Sequence, residues 1–192
     1  MKTSCYEAWN LALQEHQIEK VQFYRCRARY PRLHGKNAIR GYHGFGGEID
    51  MAKLTTKSGI SGWGQLSTDV IDAKKAAELL INRPITEIFH SETGILDERL
   101  LAFDIPLHDL AGKILDIPVC KMINPKSVLH APVYDGAIYM NDIIPENSPF
   151  GPERVIQECI DDVNLGHTIV KVKIGRSHQW MEHDEGLARD IE

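Results

Sequence analysis

Thr168-Ile169-Val170-Lys171-Val172-Lys173-Ile174, followed by Gly175, decides the fold. Apart from its two lysines the stretch is entirely β-branched, which suits a strand. Residues i and i+2 of a strand leave the same face, so Lys171 and Lys173 project together. The rest of the stretch reads as a strand buried in a parallel sheet, where neither face accepts charge cheaply. Two readings of the lysines stand side by side. A wet strand face is the ordinary one. In the other, two ammonium groups held close disfavour each other's protonation, and one of them serves as a base near neutral pH.

Working outward, residues 153–165 carry Val155, Ile156, Ile160 and Val163 as the apolar set of a helix, with Gly166 as its C-cap. Residues 141–152, with Pro145, Pro149, Gly151 and Pro152, form a loop, and Ala131-Pro-Val-Tyr134 opens a short strand. Residues 182–192 begin an acidic helix. The order β-α-β-α predicts parallel strands joined by right-handed crossovers.

The N-terminal part has another rhythm. Ser4 and Glu7 have capping-box spacing, and Tyr6, Trp9 and Leu13 form one stripe, predicting a helix over 4–17. Residues 18–30 read as a half-buried strand with Arg25, Arg27 and Arg29 on its solvated face. Residues 31–47, rich in glycine, read as a loop long enough to serve as a lid. Gly44-Phe-Gly-Gly47 lacks the Gly-Lys-Ser/Thr ending of a phosphate loop. Residues 48–57 and 60–66 pair as a hairpin around Lys57-Ser58-Gly59. Ser67 or Thr68 caps a helix to Asn82 that faces Ile71, Ala76, Ala77 and Leu80 inward, and Pro84 ends it. A turn of helix over 86–90 precedes a longer helix over 95–116, in which Pro106 predicts a kink. Strands followed by helices give an α+β layer pattern over 18–123, and 124–130 is a linker.

Composition narrows the function. The chain has 192 residues, 43% of them hydrophobic and 26% charged, the balance of a globular protein with a core of its own. A net charge of −5 offers no basic field for nucleic acid or an anionic membrane, and no apolar run reaches the length of a membrane helix. Cys5, Cys26, Cys120 and Cys159 are too sparse for a disulfide scaffold and include no C-x-x-C. With no apolar segment near the N-terminus to act as a signal, the chain is expected in the cytoplasm.

Three stretches together resemble one family. Thr56-Lys-Ser-Gly-Ile-Ser-Gly-Trp-Gly-Gln65 resembles a T-x-x-G-x-x-G-W-G-E hairpin. Ala102-Phe-Asp-Ile-Pro-Leu-His-Asp-Leu-Ala-Gly-Lys113, with Ile117-Pro-Val119, resembles an A-x-D-x-A-L-W-D-L-x-G-K…P-V helix. Gly166-His-Thr-Ile-Val-Lys-Val-Lys-Ile-Gly175 resembles a strand bearing a K-x-K base. In order and spacing they resemble the mandelate racemase/muconate lactonizing enzyme group of the enolase superfamily over about residues 18–192. Gln65 in place of Glu, and Pro106-Leu107-His108 in place of A-L-W, depart from the pattern.

The resemblance implies an α+β N-terminal capping domain over 18–123, after an N-terminal extension over 1–17. Residues 124–192 would then begin a TIM-like (β/α) barrel, enough for two of its eight units, since a full barrel takes about 250 residues. It also implies a lyase or isomerase, such as a sugar-acid dehydratase, racemase or cycloisomerase. Such an enzyme abstracts a proton α to a carboxylate while Mg2+ stabilises the ene-diolate. Carried over, Lys173 is the base and Lys171 tunes it. His34, Lys36, Arg40 and His43 are the candidates to face a sugar-acid carboxylate. The family's metal ligands lie on later strands, so no metal ligand is assigned here. His178 and His183 lack zinc-site spacing, and Asp161, Asp162, Asp184 and Glu185 are helix acids expected to face solvent. On this ground the chain by itself is expected to be inactive. The competing expectation is a truncated, non-catalytic fragment or interaction module. Either way, open barrel edges favour association, as a homo-oligomer or with a partner.

Overall fold

The computed structural model describes residues 5–37, 41–140, 152–175 and 181–192. Its contacts divide the chain into two compact units, Met1–Cys26 with Glu48–His130, and Arg27–Gly47 with Ala131–Glu192. The 27–47 segment thus groups with the C-terminal part of the chain and not with the strands that flank it.

The first unit is α+β. Helix α1 (Cys5–Gln14) buries Leu13 and sets Tyr6 edge-on to Trp9 at 5.3 Å, the stripe expected from the sequence. Ser4 lies outside the described residues, and with it the capping box. Strands β1 (Ile18–Asn37), β2 (Gly41–Thr56) and β3 (Ser61–Gln65) form one sheet in that order. β2 and β3 pair antiparallel from Met51↔Gln65 to Thr55↔Ser61 around the predicted turn. Ala52, Leu54 and Thr56 alternate into the interior, as one buried sheet face demands.

Helix α2 (Val70–Ala77) starts later than predicted. Asp69, not Ser67 or Thr68, is its cap and accepts from the Ile71 amide at 2.7 Å. It ends at Ala77, short of the expected Asn82, and its inward face is Ala73 and Ala77, with Leu80 buried in the turn beyond it and Ile71 exposed. A 3-10 turn (Ile85–Glu87) and the short strands β4 (Phe89–His90) and β5 (Gly94–Ile95) follow. The long helix expected over 95–116 is two elements, a 3-10 helix (Glu98–Phe103) and α3 (Asp104–Leu115). Pro106 therefore sits in the first turn of α3, where its missing N–H leaves no bond unmade, and causes no kink. Short α4 (Val119–Ile123) follows Pro118. The core gathers Ile18, Leu54, Phe89, Leu100, Phe103 and Leu110 among others.

α3 lies directly on β3. A Cβ at Gly62 would come within 2.5 Å of the Leu110 side chain and the Pro106 carbonyl, and one at Gly64 within 2.6 Å of Pro106. The glycines of the G-x-x-G-W-G stretch are what allow this approach.

The second unit contains strand β6 (Asp135–Ile138), helix α5 (Pro152–Asn164), strand β7 (Val170–Val172) and helix α6 (His183–Ile191). β6 and β7 pair parallel, at Asp135↔Val170 and Ile138↔Val172, as the β-α-β order predicts. Two expectations are corrected here. The glycine-rich 31–47 segment is not a loop over its described residues, because β1 runs on to Asn37 and β2 begins at Gly41. Each strand supplies the other's backbone partners, which glycine permits as well as any residue. Gly46 is required by this geometry, with φ of 153° and a position at which a Cβ would lie 2.1 Å from the Ala28 carbonyl oxygen.

The other correction is the orientation of α5. Ile156, Ile160 and Val163, expected inward, are exposed. Glu158 and Asp162 occupy the buried face, with Arg154 donating to Glu158 at 3.0 Å and Arg32 paired with Asp162. Charged groups can take an interior face when each meets an opposite charge.

Candidate functional site

The predicted base sits where the parallel ladder ends. The Lys173 amide donates to the Ile138 carbonyl at 2.8 Å, which continues the β6–β7 pairing one residue past β7. Lys173 is half-buried and Lys171 is exposed. Lys171 Nζ lies 5.9 Å from the centre of the Tyr134 ring, at the outer range of a cation–π contact. β7 is less buried than its composition suggests, since Ile169 and Ile174 on either side of it are exposed.

Two hairpin residues predicted to face substrate are brought together around Tyr139, just after β6. His34 is 8% exposed. Its ring stacks on Tyr30 at 3.9 Å and lies 6.0 Å from Tyr139. His43 approaches Tyr139 from another side at 4.4 Å. The Nε2 atoms of both histidines are buried without a hydrogen-bond partner. Burial pushes the His34 imidazole below the usual histidine range, and the positive charge of Arg32 acts in the same direction. The His34 environment thus disfavours the charged ring, and its Nε2 has no hydrogen-bond partner. Lys36 takes part through its backbone, its carbonyl accepting from the Met140 amide at 3.3 Å. Arg40 lies outside the described residues.

Beside this cluster is a charged group that sequence reasoning missed. The Arg32 guanidinium grips the Asp162 carboxylate with both terminal nitrogens, Nη2 at 2.8 Å from Oδ2. Asp162 is fully buried, which corrects its reading as a solvent-facing helix acid. Asp161 is exposed and accepts from Gln157 at 2.8 Å. Asp135 joins the cluster from β6, with the His167 Nε2 3.8 Å from its carboxylate. Burial of Asp162 could not have been foreseen from α5 alone, because its partner lies 130 residues away.

Among the described residues no three His, Cys, Asp or Glu side chains converge as metal ligands would. Each described carboxylate near this site has another partner, Asp162 with Arg32, Glu158 with Arg154, Asp135 with His167 and the Ala137 amide, and Asp190 with the Gly175 amide. They do not fit a magnesium centre. A cleft of about 460 Å³ in the first unit, lined by Trp63, Asp104, Ile105, His108, Asp109, Val119 and Ile123, includes none of the predicted site residues. Among the described residues no helix is long and apolar enough to cross a membrane.

Solved structures give the fold a context. A mandelate racemase/muconate lactonizing protein from Geobacillus sp. Y412MC10, complexed with magnesium and tartrate, superposes with a TM-score of 0.68 at 22% identity, covering 93% of this chain and 46% of that one. Over most of its length the chain shares the fold of the matching part of these structures. Galacturonate dehydratase from Geobacillus sp., complexed with D-galacturonate and 5-keto-4-deoxy-D-galacturonate, gives 0.69 at 23% identity over the same shares. A dipeptide epimerase from Enterococcus faecalis V583 gives 0.64 at 14%, covering 91% and 49%. The chain thus spans about half the length of the mandelate racemase-group structures it matches. No protein-family model matches the chain, and no curated protein matches it.

Proposed function

We propose that this chain forms the N-terminal part of an enzyme that removes a proton α to the carboxylate of a sugar acid. The first unit with the 27–47 hairpin would form the cap, and 131–192 the start of the barrel. The observation that carries this reading is the placement of Lys171-Val-Lys173 at the end of a parallel β6–β7 pair. Its support is a fold shared over most of the chain with proteins that include an acid-sugar dehydratase.

In this reading Lys173 Nζ accepts the α-proton through its nitrogen lone pair, while the C–H electron pair moves into the carboxylate. The Lys171 ammonium offsets the charge that develops there. His34 and His43 face the sugar acid from the hairpin, and Tyr30 and Tyr139 fix the two rings. Lys36 and Arg40 draw the carboxylate in. A divalent cation, as bound in the magnesium–tartrate complex of the similar protein, belongs to this chemistry. The described residues do not form its site, and no step is assigned through it.

A second reading is favoured by the exposed stripe of Ile156, Ile160 and Val163. In it, residues 131–192 associate with a second copy or another polypeptide, and the chain alone is not catalytic. One assay separates the two. The enzyme that contains this chain is offered a panel of uronic and aldonic acids with Mg2+, and α-keto acid product is trapped and measured. Product lost on Lys173→Ala supports the first reading. No product from any acid, with a mass in solution above that of one chain, supports the second.

A further inference from the structure

Strand β7 gains little from side-chain packing. Lys171, Val172 and Ile174 are exposed, as is Ile169 before them. Few buried apolar contacts leave a strand free to move unless its backbone is held. On the β6 side it is held twice, by the Asp135 amide donating to the Ile169 carbonyl at 3.1 Å and by the Lys173 amide donating to the Ile138 carbonyl at 2.8 Å. Beyond Lys173 the chain turns, and Gly175 takes a φ of 101° that favours glycine. There the Gly175 amide donates to the Asp190 carboxylate, fifteen residues further on and carried by α6.

We propose that Asp190 is a positioning residue for Lys173. By holding the Gly175 amide it anchors the outgoing end of β7, and with it the direction in which the Lys173 side chain leaves the backbone. The two hydrogen bonds, Lys173 to Ile138 and Gly175 to Asp190, bracket the Lys173 Cα along the chain. They come from different elements, one from a strand and one from a helix, so neither replaces the other. A side chain as long as lysine amplifies any tilt at its root, and a reacting group displaced by about 1 Å can lose about 100-fold in rate. What Asp190 supplies is an acceptor oxygen, which asparagine also has, so its role is one of geometry. The consequence for rate rests on the proposed sugar-acid chemistry, but the anchoring itself does not.

The test uses the enzyme that contains this chain, with Asp190→Ala to remove the acceptor and Asp190→Asn to keep one. Hydrogen exchange at the Lys173 and Gly175 amides should be at least tenfold faster in Asp190→Ala and within threefold of wild type in Asp190→Asn, with 48–130 keeping its protection. Unchanged exchange at both amides in Asp190→Ala overturns the proposal. Equal loss of protection across 48–130 also overturns it, because Asp190 would then be a general structural contact. With a sugar acid that the wild type converts, Asp190→Ala should lower kcat at least tenfold and leave KM within threefold, and Asp190→Asn should recover kcat to within threefold of wild type. An asparagine variant no better than the alanine one overturns the geometric role. Added to Lys173→Ala, Asp190→Ala should lower the residual rate less than twofold, since no base is left to position. An equal loss in both backgrounds overturns the proposal. Faster exchange in Asp190→Ala with no turnover by the wild type refutes the sugar-acid reading and supports the anchor.

Discussion

The Lys173 amide donates to the Ile138 carbonyl at 2.8 Å, so the second lysine of the pair is held by the backbone of the neighbouring parallel strand. The β6–β7 ladder thus fixes the backbone from which its side chain leaves. A rigid root suits a base, because small misplacements of a reacting group are costly in rate.

Gly62→Ala should destabilise the first unit. The new methyl would meet Leu110 and the Pro106 carbonyl at 2.5 Å, and α3 would have to lift from β3. Overpacking of this kind costs about 1–3 kcal/mol. Urea unfolding followed by tryptophan fluorescence, with Trp63 next in the chain, should show a lower midpoint. An unchanged midpoint would mean that the β3–α3 contact is looser than described.

The sequence makes much of this legible. The β2–β3 hairpin and the β6–α5–β7 unit follow from local signals, a turn of Lys57-Ser58-Gly59 and a periodicity that switches from strand to helix and back. The 27–47 hairpin does not. Its glycines read as punctuation, and only the facing strand reveals that Gly46 is needed for a close backbone approach to Ala28. Asp69 was hidden as the α2 cap by Ser67 and Thr68, which are equally able to cap. The face of α5 was misjudged because hydrophobicity favours Ile156, Ile160 and Val163. What buries the opposite face is an arginine far away in sequence, for which α5 carries no local signal. Of the residues proposed for the site, the lysines, His34 and His43 rest on motif and position in the sequence, while Tyr30, Tyr139 and Arg32 carry no such signal.

Gly46→Ala should loosen the hairpin specifically. Its φ of 153° disfavours a side chain, and its methyl would lie 2.1 Å from the Ala28 carbonyl oxygen. Strain and overlap together are worth about 1–3 kcal/mol. Limited proteolysis should cut within 27–47 faster in the variant, with 48–130 resistant as before. Equal resistance of the hairpin would count against its described pairing.

His34 makes stability depend on pH. Its imidazole is held below the ordinary value of 6.5 in the folded state, so the unfolded chain binds the proton first. Its contribution is therefore full above about pH 6.5 and is lost as pH falls toward the lower folded value. Urea midpoints at pH 7.5 and 5.5 should show a drop in wild type that is smaller in His34→Phe, which keeps a flat ring against Tyr30 without the titrating nitrogen. An identical drop in both proteins would assign the acid sensitivity to other groups.

The central claim is that Lys173 takes a proton from the carbon next to a carboxylate. The most direct measurement follows deuterium entering the α-position of a panel of sugar acids in D2O with Mg2+, by proton NMR, for the enzyme that contains this chain and for its variants. The account predicts exchange with at least one acid, reduced about 100-fold or more by Lys173→Ala, in keeping with the roughly 10²–10⁴-fold contribution of a positioned base. Lys171→Ala should give a smaller loss. Exchange that persists unchanged in Lys173→Ala would contradict it.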